Sequence, residues 1–288
     1  MFKFFLDVLV TSLYETFSLL PYLYLTYLLM EYLEHEVSRK WTIYVRKSKQ
    51  LGPVVGSFLG LVPQCGFSVS FANLYATGLI SLGTMLAVFF STSDEMLPIL
   101  ISEGVNFSLV LKILTLKFIY ALCIGVLIDR YLPQSFIKNK NEPDIASFCK
   151  KEKCKCVDKK ENIYKSAYRH TEKISIFIFL CAFVINLALN IGGYKVLQDA
   201  LLGNPFLSKI VASAIGLIPS CYPSVLLTQL YTDNVISVAT MLTGTLSNSG
   251  LGLFVLYKVN QNKTETSRII ALIFVTSVVL GILTELIL

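Results

Sequence analysis

The sequence predicts an all-α polytopic membrane protein made of two related halves, and three observations support this. Hydrophobic residues make up 54% of the 288 residues and charged residues only 15%, whereas soluble domains carry about a quarter charged residues. Several apolar runs reach the roughly 20 residues that cross a bilayer core. One long segment also occurs twice. The clearest apolar runs are 4–33, 108–131, 173–197 and 268–288.

The first apolar run, 4–33, is too long for a signal peptide and has no small-residue cleavage site. It is therefore predicted to remain as a transmembrane helix. The sequence contains no glycine-rich phosphate-binding loop, which argues against ATP hydrolysis by this chain.

The repeated segment is GLVPQCGFSVSFANLYATGLISLGTML at 60–86, which returns as GLIPSCYPSVLLTQLYTDNVISVATML at 216–242. Between 60–93 and 216–249, fifteen of 34 positions are identical at a constant offset of 156. Shared apolar composition alone would not keep Pro, Cys and Tyr in register. The chain is therefore predicted to be an internal duplication.

Each half is predicted to contain one long helix, one broken apolar segment and two further helices. In the first half these are 4–33, 52–77, 79–100 and 108–131, with an interruption of the third near Ser91–Glu95 as an alternative to a continuous helix. In the second half they are 173–200, 208–233, 234–256 and 268–288.

The broken segments are predicted to be re-entrant hairpins. Pro63 and Pro219 cannot continue a helix without a kink. The flanking pieces 52–62 and 66–77 have about 11 and 12 residues, so at 1.5 Å per residue each reaches about half of a ~30 Å core. Each Pro-x-Cys tip would then lie near the bilayer midplane. The alternative is a duplicated kinked helix that serves packing only.

The distribution of basic residues predicts the orientation in the membrane. The loops 35–50, 133–172 and 257–268 are rich in Lys and Arg and are predicted to be cytoplasmic, with the acidic loop 93–107 outside. With both hairpins entering and leaving on one face, each half crosses the membrane three times and the halves are inverted. Inverted repeats with broken helices at the midplane are typical of secondary transporters.

This topology divides the chain into a first membrane repeat (1–132), a basic Cys-containing cytoplasmic loop (133–172) and a second membrane repeat (173–288). The net charge of +6 is explained by juxtamembrane Lys and Arg. The lipid bilayer is therefore a predicted partner, and nucleic acid is not.

The two Pro-x-Cys tips are predicted to form the substrate site. Cys65 and Cys221 are candidate ligands because thiolates suit soft metals and metalloids, although a buried Cys is also an ordinary small hydrophobe. Half-helix ends offer both carbonyl and N–H groups, so the backbone alone does not choose between a cation and an anion. Polar side chains that either line the path or pair between helices are Gln64, Ser220, Ser68, Ser224, Asn73, Gln229, Thr84 and Thr240.

Charged residues in or near the apolar segments form a second set of candidates. Asp94 and Glu95 in STSDEM have no acidic counterparts in SNSGLG of the second half. Together with Asn73 they are candidate metal ligands, and they also qualify as proton carriers or as a solvated outer loop. Glu15 lies within the first apolar run and is a candidate proton carrier, and Lys117 is a functional candidate for the same reason, because intramembrane charges are costly.

The central loop holds Cys149, Cys154 and Cys156 in CKKEKCKC. Their spacing does not match the paired Cys-x-x-Cys pattern of structural zinc sites. Two interpretations remain open, namely a loose capture site for thiophilic ions and a solvated flexible loop.

Three features resemble the ten-transmembrane heavy-metal exporter family, whose bacterial members are labelled arsenic efflux proteins or manganese transporters. They are PQCGFSVSFANLYATGLISLGTMLAVFFSTSDEMLPIL, the Cys-bearing central loop, and HTEK before an apolar helix. The resemblance covers essentially the whole chain. It implies an inner-membrane permease of about ten segments, counting each half-helix separately. The family's central loop is rich in His and Cys, whereas here its His is confined to His170.

The predicted function is secondary-active export of a metal or metalloid ion. Arsenite would be bound by Cys65 and Cys221, and manganese by Asp94, Glu95, Asn73 and tip carbonyls. One alternative is a permease for a small organic or inorganic anion held at half-helix N-termini.

A further alternative is an intramembrane enzyme with a Cys nucleophile. It lacks a base, because neither His35 nor His170 lies in a predicted span near the tips. No enzymatic activity and no cofactor are therefore predicted, and the oligomeric state is left open.

Overall fold

The computed structural model describes residues 51–63, 65–93, 95–132, 163–188, 204–260 and 262–287, together with Leu201 and part of the stretch 6–28. The described residues form helices joined by short turns and no strands, so the all-α prediction is confirmed. In chain order the helices are α1 (Gly52–Gly60), α2 (Cys65–Ala76), α3 (Leu82–Ser91), α4 (Met96–Ser102), α5 (Phe107–Tyr131), α6 (Ile163–Ala188), α7 (Pro205–Gly216), α8 (Tyr222–Thr232), α9 (Val238–Ser247), α10 (Gly252–Val259) and α11 (Lys263–Ile287).

Helices α1–α5 recur as α7–α11 with nearly the same boundaries. Helices α3 and α9 run from Leu82 and Val238, and α5 and α11 run from Phe107 and Lys263. Both pairs have the offset of 156 found in the sequence. The helix pattern therefore repeats beyond the stretch in which residues are identical, as a duplication predicts.

Each recurring unit contains two breaks. The first separates α1 from α2 at 61–64, and its counterpart separates α7 from α8 at 217–221, where the sequence predicted them. The second pair of breaks lies at 92–95 and 248–251. The interruption near Ser91–Glu95 was predicted as an alternative, but the prediction of a continuous helix over 234–256 is wrong. At this point the Asn248 side chain accepts a hydrogen bond of 2.9 Å from the Gly250 N–H, and Gly250 has a φ of +54°. An Asn-based turn of this kind replaces helical bonding.

Several predicted loops are shorter than expected. Helix α6 begins at Ile163, so the predicted boundary between 172 and 173 falls inside a helix. The predicted loop 257–268 is mostly helical, because only 260–262 separate α10 from α11. Asn262 ends this turn by accepting a bond of 3.3 Å from the Glu265 N–H, which is helix N-capping.

The predicted outer loop 93–107 contains α4. Much of the predicted segments 4–33, 35–50 and 133–172 lies outside the described residues.

Four helical segments among the described residues are long and apolar enough to cross a membrane, namely Leu82–Ser102, Phe107–Tyr131, Val238–Val259 and Lys263–Ile287. The first and third contain the breaks after Ser91 and Ser247. In these broken segments 71% and 89% of the most apolar stretch is buried within the protein, against 33% in each unbroken one. The broken segments therefore form the interior, where irregular backbone is tolerated.

Small residues allow close packing within the first unit. A Cβ at Gly52 would overlap the Thr84 side chain, one at Gly56 would lie 2.8 Å from the Thr84 carbonyl oxygen, and one at Gly60 would overlap Ser91. The start of α1 thus lies beside the start of α3, and the two ends also lie together. Helices α1 and α3 run in the same direction.

Helix α5 runs against α3 in the opposite direction. Near the end of α5, Asp129 accepts a hydrogen bond of 2.8 Å from the N–H of Gly83 at the start of α3. It also accepts one of 2.6 Å from the Ser81 hydroxyl. Lys117, in the middle of α5, donates to the Thr92 carbonyl just after α3 ends. Helices α7, α9 and α11 pack on one another in the same pairs.

The two units interlock through their second half-helices. Helix α2 packs on α10, α8 packs on α4, and α3 contacts α9. A Cβ at Gly252, the first residue of α10, would lie 2.9 Å from the Ser68 carbonyl oxygen of α2. Each unit is therefore completed by helices of the other.

We predict that Gly216→Ala destabilises the protein by about 1–3 kcal/mol, the usual cost of overpacking. Its Cβ would overlap the Gly244 carbonyl and the Ser247 hydroxyl, and the backbone carbonyl cannot move aside. Thermal unfolding of the purified protein in detergent measures the effect.

Gly104→Asn is the control, because nothing lies within 4 Å of its Cβ position and Asn tolerates the φ of +68° there. We expect its free energy of unfolding to lie within about 0.5 kcal/mol of that of the parent protein. Equal stability of both variants would contradict this account of the packing.

Candidate functional site

The breaks in the helices lie close to one another in the interior. The end of α1 lies beside the end of α3, as Gly60 beside Ser91, and the end of α7 lies beside the end of α9, as Gly216 beside Ser247. The start of α10 lies beside the first turn of α2. Irregular backbone from both units therefore surrounds one central region, which we call the central site.

Lys117 joins the two units at the central site. Its side chain is 0% exposed. The ammonium group donates to the Thr92 carbonyl after α3, and at 3.3 Å to the Thr245 carbonyl near the end of α9. Both partners are at helix C-terminal ends, where the helix dipole is negative and favours a cation. Its repeat counterpart is Ile273, so this cation is present in one unit only.

Buried hydroxyl and amide groups line the second pair of breaks. All six residues of 91–93 and 247–249 are at most 4% exposed. Most of their side-chain oxygens bond to nearby backbone, for example Ser247 to the Ser213 carbonyl at 2.9 Å. The hydroxyls of Ser220 and Ser249 are fully buried and have no hydrogen-bond partner among the described residues. The central site therefore offers polar groups that helix packing does not use.

The structure locates the two predicted thiol residues at equivalent helix starts. Cys65 is the first residue of α2, and its side chain lies outside the described part. Cys221 is the N-cap residue of α8 and is buried, with 5% exposure. The break that contains Cys221 begins directly after Gly216, so its backbone belongs to the central site.

The other predicted polar residues occupy different environments. Ser68 and Ser224 are buried on the first turns of α2 and α8. Asn73 is fully buried, whereas its counterpart Gln229 is exposed. These two amide residues occupy equivalent positions of the repeat but differ in burial.

Thr84 and Thr240 lie at the starts of α3 and α9, away from the central site. Their N–H groups each donate to a capping serine, Ser81 and Ser237, at 3.2 Å. Eight residues of helix separate Thr84 from Thr92, which corresponds to about 12 Å. In this structure both threonines take part in helix capping.

Several of the predicted site residues lie outside the described part of the chain. Glu15, Gln64 and Asp94 lie outside the described residues, as do Cys149, Cys154 and Cys156. Glu95 is described and exposed, as the N-cap residue of α4. Among the described residues, no three His, Cys, Asp or Glu side chains come together as a metal-binding group.

Sequence reasoning missed a buried acid, Glu265. It is 2% exposed and accepts a hydrogen bond from the Tyr75 hydroxyl of α2. The surrounding sequence NKTETS is polar and is typical of a solvent-exposed helix start, so burial of Glu265 is not expected from it. Its hydrogen-bond partner, Tyr75, is 190 residues away in the chain. The repeat alignment contains one indication that position 265 is buried, because the equivalent residue in the first unit is Leu109.

The all-helical architecture and the membrane-length apolar segments are those of an integral membrane protein. The chain belongs to the family described as "Putative, 10TM heavy-metal exporter", whose model matches residues 5–167 and 148–278. The resemblance found in the sequence is thereby confirmed. No curated protein and no solved structure matches the chain.

We predict that Lys117→Met lowers the free energy of unfolding by about 1–3 kcal/mol. The methionine fills similar space but leaves the buried carbonyls of Thr92 and Thr245 without this donor. Thermal unfolding in detergent measures the loss.

Lys112→Met is the matched control, since Lys112 lies on the same helix and is exposed. It should change stability by less than about 0.5 kcal/mol. A Lys117→Met protein as stable as this control would show that the ammonium does not hold the two units together.

Proposed function

We propose that the protein is a secondary-active exporter of a heavy metal or metalloid ion and that the central site binds the substrate. The family name supports heavy-metal export. The observation that carries the proposal is the convergence of buried helix breaks from both units around Lys117. Broken helices with polar backbone in the membrane interior are the usual binding site of secondary transporters.

We further propose that the segments containing α1–α2 and α7–α8 are re-entrant hairpins. Because α1 and α3 run in the same direction with Gly52 beside Thr84, the chain between them must return. A continuous helix over 52–76 would instead carry its end about 36 Å away, too far for the short turn before Leu82. Two such hairpins, in halves inverted by three crossings each, agree with the basic segments at 35–50 and 133–172 on the cytoplasmic side of a bacterial inner membrane.

A trivalent metalloid such as arsenite fits the described residues better than a divalent cation. Arsenous acid is uncharged at neutral pH, so a fixed ammonium at Lys117 does not repel it, whereas it would repel manganese. Cys221 supplies a buried thiol, and thiolates are preferred by soft centres. The described residues include no cluster of carboxylates for a hard ion.

Residues around the central site would complete the substrate path. We assign Cys221 and Cys65 as thiol ligands, with Ser220, Gln64, Ser68 and Ser224 lining the tips. Asn73, Gln229, Thr84 and Thr240 would line the path further from the tips. Asp94, Glu95 and Glu15 would hold charge or protons.

A second candidate is a permease for a small oxyanion, and Lys117 is the observation that favours it. A buried ammonium provides a counter-charge, and the N-terminal starts of α2 and α8 point donors toward an anion. No enzymatic activity is proposed, in keeping with a family of transporters.

Transport by everted membrane vesicles tests the proposal. Vesicles from cells that lack their own arsenite efflux systems should accumulate arsenite when they contain this protein. Cys221→Ser should reduce the initial rate about tenfold or more, corresponding to about 1.4 kcal/mol of lost substrate interaction. Cys123→Ser, at the exposed free cysteine of α5, should transport at the parental rate.

The outcomes separate the candidate substrates. Manganese accumulation that Asp94→Asn abolishes and Cys221→Ser leaves intact would overturn the metalloid assignment in favour of a hard cation. Competition by phosphate or arsenate, lost in Lys117→Met, would favour the oxyanion. Absence of transport for all of these ions would contradict the proposed function.

A further inference from the structure

Glu265 and Tyr75 form a buried polar pair away from the central site. Glu265 is 2% exposed and Tyr75 is 4% exposed. The Tyr75 hydroxyl donates to Oε1 of Glu265, while Oε2 is buried and has no hydrogen-bond partner among the described residues. Tyr75 and Ile269, one turn after Glu265, belong to the same apolar core cluster. A carboxylate in such surroundings is costly unless it is satisfied or protonated.

The pair connects the central site to a helix of the other unit. Tyr75 is near the end of α2, whose first residue is Cys65, and Glu265 is in the first turn of α11. Ten residues of helix, about 15 Å, separate Cys65 from Tyr75. A change in the bond between Tyr75 and Glu265 therefore acts on one end of α2 while substrate binding acts on the other.

The pair has no equivalent in the second unit. Tyr75 has a counterpart in Tyr231, but Glu265 corresponds to Leu109. A carboxylate kept for packing alone would bring an oxygen without a hydrogen-bond partner into the apolar interior, which is destabilising. If the charge of Glu265 changes during transport, this would explain why a buried carboxyl group is present in one repeat unit and not in the other.

We propose that Glu265 is a proton-binding residue that couples proton movement to substrate export, an inference that rests on the proposed function. A proton from water adds to Oε2, which converts the carboxylate to the neutral acid and removes the buried charge. The Tyr75 bond then changes from a charge-assisted bond to a neutral one, which is roughly half as strong. Protonation thereby loosens α2 from α11, and substrate binding at the other end of α2 favours return of the proton to water.

Several helices around Glu265 carry titratable side chains. Tyr75 of α2 donates a hydrogen bond to its Oε1. Helix α9 has no titratable residue, and Lys209, the one on α7, pairs with Glu285 at 2.5 Å. Helix α10 contributes Tyr257 and Lys258, and α11 itself contributes Lys263 and Arg268, none of which is buried. On α5 the nearest acid is Asp129, which influences Tyr75 electrostatically.

Transport by purified protein in liposomes tests the coupling. Glu265→Gln keeps the shape of the side chain but cannot exchange a proton. We expect it to lose arsenite accumulation driven by a pH gradient by about 5- to 150-fold, the usual range of coupling between sites. Arsenite exchange without a gradient should continue at the parental rate. Tyr75→Phe should reduce gradient-driven accumulation less strongly, and Tyr231→Phe is its matched control and should have no effect.

Infrared titration of the same proteins tests proton binding without substrate. The parent protein should gain a protonated-carboxyl band on acidification that Glu265→Gln lacks and that Tyr75→Phe shifts. Thermal unfolding identifies any variant that fails to fold. If Glu265→Gln does not fold, the shift of the carboxyl band in Tyr75→Phe decides whether Glu265 binds the proton.

The outcomes distinguish this inference from the proposed function. Three results in Glu265→Gln would each overturn the inference. They are gradient-driven transport at the parental rate, loss of arsenite exchange as well as of gradient-driven transport, and an infrared titration unchanged from the parent protein. A parent protein that binds the proton at Glu265 but moves no metalloid would contradict the proposed function and leave the proton site in place.

Discussion

The structure depends on the satisfaction of backbone groups where helices stop inside the protein. Each break leaves carbonyls that have no helical partner, and water is scarce in a membrane interior. Lys117 satisfies two such carbonyls, because its ammonium donates hydrogen bonds to Thr92 and Thr245, which belong to different units. At another break, the Asn248 side chain bonds to its own turn. These contacts keep the broken segments in place and leave polar groups available at the centre.

The broken segments are shielded because the surrounding helices pack closely. Glycines at 52, 56 and 60 allow α1 to lie directly on α3, and Gly125 allows α5 to approach the backbone at Gly83. The unbroken helices α5 and α11 are more exposed, because only a third of the most apolar stretch of each is buried within the protein. Small residues thus bring the backbones together, and large apolar residues face outward where lipid is expected.

The proposed function depends on the differences between the two units more than on their similarity. The repeated Pro-x-Cys segments supply matched half-helix ends, which alone favour neither a cation nor an anion. Lys117 and Glu265 are buried charged residues that replace apolar counterparts at 273 and 109. One lies at the proposed substrate site, and the other lies at the far end of α2. In the proposed mechanism these two residues supply different chemistry, one for the substrate and one for the coupling proton.

The amino-acid sequence by itself determined the all-helical class, the membrane location, the repeat at an offset of 156 and the breaks at Pro63 and Pro219. These features follow from local composition and from residues that forbid a helix. The tertiary structure alone decided that Gln229 is exposed although Asn73 is buried, and that Glu265 meets Tyr75. Such features depend on contacts between residues far apart in the chain, and no local pattern records which groups will meet there.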